Sequence, residues 1–418
     1  MNFIDYHAHV YGTGYKVLYP KLDNCSSITD VQEVVREASQ KSKGKSQNIL
    51  LRGWDQNKWG ATGFPTKADI DEVELVIPVA LIRIDGHAMW CNSAMLRFVG
   101  IVRNTVSPVG GEILHDDSGE PTGILIDEAM SLVYDALPPH DDETLTNILR
   151  AGLQEFAKHH VGVHDMGIPA EWWEPYKKFY AEEGDSLIAS YVFLDMTKPT
   201  GKQLFLEKVK SGKWDDSTHP NLKLVGIKLY LDGALGSRGA HLFADYSDDP
   251  GNRGIRLMED DEALMLMNLA AERSLQIAVH AIGDAANSRA LDLFTKVREH
   301  ISTLNPVPSP QLRIEHAQIV RPDDIKRYKR LDVWAIIQPQ FWTSDKDWAI
   351  KRLAAERMKN AYRWRSFIEA GVRVAASSDS PVEDANCLLG IKALCDREVE
   401  GVDNTIASSL YEEMKELL

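Results

Sequence analysis

Residues 3–10 read FIDYHAHV. The run is short, rich in apolar and aromatic residues, and predicts a β-strand. The glycine-rich G-x-G-x-x-G turn that an open, dinucleotide-binding sheet would place after its first strand does not follow it. Moving outward, similar runs recur at 162–166 (GVHDM), 187–196 (LIASYVFLDM), 222–231 (LKLVGIKLYL), 275–280, 312–316, 333–338 and 372–376. Charged, helix-like stretches separate them at 142–159, 260–273, 285–299, 322–331 and 354–370. Near-continuous apolar strands alternating with amphipathic helices indicate an α/β fold whose parallel sheet is covered on both faces. Eight such strands fit a closed (β/α)8 TIM barrel better than an open sheet.

One stretch breaks the alternation. Residues 48–138 carry hairpin-like turns, tryptophans and many glycines, as in GGEILHDDSGEPTG. They read as a subdomain inserted after the first strand, over the barrel mouth. The barrel itself then occupies 1–47 and 139–400, with a helical tail at 401–418 that ends in the amphipathic SSLYEEMKELL. Pocket shape would depend on the insertion and on loops such as 340–347.

The 418 residues are 44% hydrophobic and carry a formal net charge of -15. That surface repels nucleic acid and anionic membrane and favours a small-molecule substrate. No run of 18 apolar residues predicts a membrane span, and no cationic, apolar leader opens the chain. Cys25, Cys91, Cys387 and Cys395 are scattered and form no CxxC pair. A reducing, cytoplasmic setting is expected, without a disulfide framework or a cysteine zinc site.

The chemistry-bearing residues fall at predicted strand ends, where barrel active sites are assembled. His7 and His9 are two apart on a strand and so share a face, as a zinc-like ion would require. Alone, such a pair more often marks surface or satisfied core histidines. His280 ends LQIAVH, His316 ends LRIEH, and Asp379 follows VRVAASS. Lys228 lies inside a strand that should be buried on both faces. A buried, unpaired ammonium is costly and tends to lose its proton. Its neutral amine could take up carbon dioxide as a carbamate. The alternative is an ion pair with a buried carboxylate such as Asp232 or Glu315. His164, near another strand end, is read as structural or as a support for a ligand.

Taken together these segments resemble the amidohydrolase superfamily, and within it the amidohydrolase-3 group that includes N-substituted formamide deformylases. The resemblance runs through FIDYHAH (3–9), RGWDQNKW (52–59), RIDGHAMWCNSAML (83–96), GGEILHDDSGEPTGILIDEAM (110–130), GIKLYLDGALGSRGA (226–240), HAIGDAA (280–286), RIEHAQ (313–318) and SSDSPVE (377–383). It implies a two-metal site. His7 and His9 would hold the more buried ion, His280 and His316 the second, and carboxylated Lys228 would bridge both. Asp379 would touch the first ion and shuttle protons. Zinc is the first expectation for the two ions, with iron, manganese or nickel compatible with the same donors.

The implied reaction is hydrolysis of a non-peptide carbon–nitrogen bond, of amide or formamide type, by a metal-bridging hydroxide. Asp379 acts as base and then acid. An esterase or lactonase on the same site is an alternative, as is a metal-binding regulatory protein without turnover. His87 is a candidate oxyanion donor or substrate contact, or else structural. Arg83, Trp90 and Arg238 are candidate substrate-binding residues, with ion pairing or core packing as the alternative. Family members carry a small flanking β-sandwich, and here it is expected to be largely missing. The surface thereby left open suggests a homodimer.

Overall fold

The computed structural model describes residues 3–42, 48–60, 63–159 and 161–396. Among the described residues, thirteen strands form two sheets. In chain order they are β1 (Phe3–Ala8), β2 (Ile49–Trp54), β3 (Val79–Arg83), β4 (Ala88–Cys91), β5 (Gly111–His115), β6 (Pro121–Asp127), β7 (Val161–Ile168), β8 (Ser190–Asp195), β9 (Leu222–Tyr230), β10 (Gln276–Ala281), β11 (Leu312–His316), β12 (Val333–Ile337) and β13 (Val374–Ala376).

The larger sheet runs β1-β7-β8-β9-β10-β11-β12-β13, all neighbours parallel. It curls into a nearly closed eight-stranded barrel. Its ends meet through a few bonds between β1 and the segment after β13. The Asp379 N–H donates to the His7 carbonyl and the His9 N–H to the Ser380 carbonyl, each at 2.8 Å. The buried Asp5 carboxylate accepts from the Ser378 N–H at 3.1 Å and the Ser378 hydroxyl at 2.5 Å. Closure therefore sets His7, His9 and Asp379 side by side.

Alternation along each strand sorts residues between two cores. Ile277, Val279 and Ala281 of β10 join Leu291, Phe294 and Val297 of helix Asp284–Ser302 in one buried cluster. Each of the larger side chains contributes about 1.5–3 kcal/mol by leaving water, and the Ala281 methyl less. Ala278 of β10 instead packs with Met166, Phe193 and Val225 in a separate small cluster. His280 shares the inward parity of Ala278, and on β9 an extra residue at Val225 shifts the register, so that Lys228 alternates with Ile227 and Leu229, which join the outer cluster.

The second sheet, β2-β3-β4-β6-β5, is built from the segment between β1 and β7. Trp54, Leu81, Trp90 and Ile124 form a core on one side, and Ile82, Met89, Leu125 and Met95 form another.

Several boundaries differ from the expected ones. The first strand ends at Ala8, and Val10 already belongs to helix Val10–Leu18. Residues 340–347 are not a loop, since they lie in helix Pro339–Met358, which proline opens at its first position. The expected single helix at 354–370 is broken. Ala354 and Tyr362 both adopt positive φ, and a separate helix begins at Trp364. The break has a use, because Tyr362 N–H and the Asn360 carbonyl bond the segment after β11. The tail at 401–418 lies outside the described residues, as do 397–400. No helix among the described residues is long and apolar enough to cross a membrane.

Candidate metal centre

Six side chains gather at the C-terminal ends of the barrel strands. Ligand atoms of His7, His316 and Asp379 lie within 4.8 Å of one another, and all three residues are buried. His9 Nε2 is 3.2 Å and His7 Nε2 3.5 Å from Asp379 Oδ1. Lys228 Nζ stands 3.4 Å from His7 Nε2. The His280 ring lies with its centroid 4.5 Å from that of His316.

The histidines are held in defined tautomers. His7 Nδ1 is 2.5 Å from Glu315 Oε2, and His9 Nδ1 is 2.9 Å from the Met166 carbonyl. Both partners only accept, so each Nδ1 carries the proton and each Nε2 keeps its lone pair. His316 Nδ1 faces Gln338 Oε1 at 2.9 Å. That amide is oriented in turn, because Ser377 donates its hydroxyl proton to the Ile337 carbonyl and accepts from Gln338 Nε2. His280 is turned the other way, with Nε2 3.3 Å from the Gly233 carbonyl and 3.4 Å from Asp232 Oδ1, and among the described residues none bonds Nδ1. Burial, reinforced by neighbouring cationic groups, holds the pKa of His7, His280 and His316 well below the ordinary range. These rings are neutral rather than cationic.

This donor set fits a cation. Asp379 Oδ1 is buried and accepts no hydrogen bond, although two imidazole lone pairs converge on it. A buried carboxylate oxygen facing nitrogen lone pairs is repulsive unless a positive ion stands among them. His316 and Asp379 also hold positive φ, of 75° and 58°. Non-glycine residues adopt that region at a cost of about 1–3 kcal/mol, and such strain clusters at functional sites.

Lys228 is fully buried. Among the described residues no carboxylate oxygen forms an ion pair with it. The two partners expected for it are engaged elsewhere. Asp232 accepts the N–H groups of His241, Ile282 and Gly283. Glu315 is gripped by Arg313 and His7. Burial, only partly offset by the charges of Glu315 and Asp379, pulls the Lys228 pKa down to about 8.

His87 reaches this cluster from the second sheet. Its ring centroid lies 5.1 Å from that of His280, and its Nδ1 is 2.5 Å from Asp127 Oδ1. Burial alone would lower its pKa, but the charges of Asp127 and Asp85 outweigh burial and raise it. Arg83 is fully buried and bonded to Gln56, Asp55 and Asp85. Trp90 is buried in the core of the second sheet, its Nε1 donating to the Thr66 carbonyl. Arg238 pairs with Asp248 at 3.0 Å. Each of these three thus has a structural partner. His164 lies lower in the barrel, bonded to Arg313 and packed on Tyr6, Tyr191 and Phe193.

The sequence reading missed the tautomer-fixing roles of Glu315, Gln338 and the Met166 carbonyl, and it missed Asp127. Gln338 does stand directly after an apolar strand, as the ligands do, and that was an available signal.

Residues 2–416 match the model of the Amidohydrolase family. The chain is 33% identical to YtcJ of Bacillus subtilis over 402 residues, covering 94% of this chain and 72% of that protein. It is 27% identical over 338 residues to an N-substituted formamide deformylase from Arthrobacter pascens, covering 76% of this chain and 58% of that one. A crystal structure of a metal-dependent hydrolase from Pyrococcus horikoshii superposes with a TM-score of 0.70 at 26% identity. That superposition covers 98% of this chain and 77% of the other.

Proposed function

Because the chain belongs to the amidohydrolase family, we propose that it hydrolyses a carbon–nitrogen bond outside peptides, in a substrate of formamide or simple amide type. The likeness to a formamide deformylase supports that substrate class. The observation that carries the reading is the unpartnered Asp379 Oδ1, with Nε2 of His7 and His9 directed at it.

His7, His9, His280, His316 and Asp379 would hold two divalent ions, zinc first among them for so nitrogen-rich a set. Such ions acidify bound water and polarise a carbonyl when present. Lys228, without an ion-pair partner among the described residues and with its pKa pulled down to about 8, is placed to carry a carbamate. Its neutral amine adds to carbon dioxide, a nitrogen–carbon bond forms, and one proton is released. The resulting anion has two oxygens for two ions. Asp379 Oδ1 is directed at the histidines, which leaves Oδ2 to hold the proton of the attacking water. Oδ2 then returns that proton to the departing nitrogen.

The test is hydrolysis by the purified chain reconstituted with zinc and bicarbonate, against N-substituted formamides, linear amides and matched esters. Turnover of formamides or amides is expected. Asp379→Asn should lower kcat by roughly 10²–10⁴, the usual worth of a positioned acid–base group, while much of the metal is retained. Fully metallated protein that hydrolyses only the esters, or nothing in the panel, would overturn the proposal.

A further inference from the structure

The loop after β9, DGALGSRGA (232–240), receives two charged side chains of the second sheet, and its glycines make the room. A β-carbon at Gly236 would sit 2.6 Å from an Arg83 guanidinium nitrogen. A β-carbon at Gly239 would sit 2.6 Å from Asp127 Oδ2, and one at Gly233 would collide with the same oxygen. Asp127 therefore rests in a cradle of two bare glycines, directly beside the Gly233 carbonyl that faces His280 Nε2.

From that cradle Asp127 holds His87 twice. Its N–H donates to the His87 carbonyl at 3.1 Å, and its Oδ1 meets His87 Nδ1 at 2.5 Å. The main chain at Asp127 is bent to do so, at φ 47° and ψ -120°, a conformation unusual for a non-glycine residue. Asp85 Oδ1 pins the His87 N–H from the other side, and Arg83 holds Asp85. No group among the described residues bonds His87 Nε2, and the side chain keeps 18% exposure beside His280.

We propose that Asp127 is a positioning residue that fixes the His87 ring with Nδ1–H toward its own carboxylate and Nε2 toward a substrate bound at the metal-ligand cluster. The second sheet thus supplies an oriented imidazole to a site otherwise built by the barrel. A carboxylate that only accepts selects this tautomer, as in other carboxylate–histidine pairs. The catalytic consequence rests on the hydrolase reading above, but the geometric claim does not.

The deciding measurement is nitrogen NMR of the full chain with ¹⁵N-labelled histidine rings, at a pH where the ring is neutral. His87 is assigned by its disappearance in His87→Gln. Wild type should show Nδ1 protonated and Nε2 bare, Asp127→Ala should lose that signature, and Asp127→Asn should shift it toward Nε2–H, because the amide nitrogen can donate to Nδ1 where a carboxylate cannot. An Nε2–H tautomer in wild type, or a signature unchanged in Asp127→Ala, would overturn the proposal whatever the enzyme turns over. In the amide assay, Asp127→Ala should lower kcat at least tenfold with little change in KM, and should cost nothing further when His87→Gln is already present. An equal additional loss in that background would mean that Asp127 serves only the packing of the loop.

Discussion

Glu315 Oε2 lies 2.5 Å from His7 Nδ1, and Arg313 grips the same carboxylate through both of its oxygens. All three side chains are buried on the inside of the barrel. Arg313 also donates to the Tyr6 carbonyl, so the chain of contacts ties His7, a candidate metal ligand, to the strand that carries it. Partners of this kind set the ligand's tautomer and its basicity. Glu315→Gln should weaken zinc binding by about 10–100-fold with the fold intact, as read by competition with a chromogenic chelator. Glu315→Ala should also destabilise the chain by about 3–5 kcal/mol, because Arg313 is then left buried without a counter-charge. Unchanged zinc affinity in Glu315→Gln would refute the role.

Lys228→Ala should leave the protein short of one metal ion per chain by elemental analysis. A short carboxylic acid added to the buffer should restore part of it, by standing in for the carbamate oxygens. Full metal content in the unrescued variant would show that Lys228 does not bridge.

The barrel and its ligands were legible because both are written locally. His280, His316 and Asp379 close or follow short apolar runs, and Lys228 is a lone charge inside one, so these candidate ligands announce themselves by position in the strand. What fixes those ligands is not local. Glu315 and His7 are 308 positions apart and His9 and Met166 are 157 apart, and only barrel closure brings them together. Asp127 ends GILID, which reads as an ordinary hairpin strand until the glycine cradle is seen. The helix at Pro339–Met358 was illegible for another reason. Its apolar residues show no helical period, because the face it buries includes Asp345 and Arg352 beside Phe341, Ala349 and Leu353, and because the helix is kinked at Ala354.

Barrel closure depends on Asp5, whose carboxylate satisfies the His7 N–H and both donors of Ser378. Asp5→Ala would leave buried donors without acceptors, each costing roughly 1–3 kcal/mol. A loss of about 3 kcal/mol or more in urea unfolding is therefore expected, together with weaker zinc binding, because His7 and Asp379 are joined by the same closure. A stability change under about 0.5 kcal/mol, the range of ordinary surface substitutions, would show that the backbone bonds alone close the barrel.

Asp345 should make stability depend on pH. Burial pushes its pKa up to about 8, with the charge of Glu383 adding to the effect against the Tyr362 hydroxyl bond. Folding therefore takes up a proton at this carboxyl. Its stabilising contribution is complete below about pH 4 and is lost as pH rises through about 8. The slope is at most about 1.4 kcal/mol per pH unit for one proton. Asp345→Asn should flatten this part of the stability profile between pH 4 and 8, measured by urea unfolding. An identical profile in the variant would place the carboxyl's pKa near its ordinary value.

The central claim is that His7, His9, Lys228, His280, His316 and Asp379 hold a pair of cations. Crystals of the zinc-reconstituted chain, measured on both sides of the zinc absorption edge, test it most directly. Two anomalous peaks among these six side chains, with added density on Lys228 Nζ, are predicted. Zinc bound elsewhere with no peak in this cluster would contradict the claim.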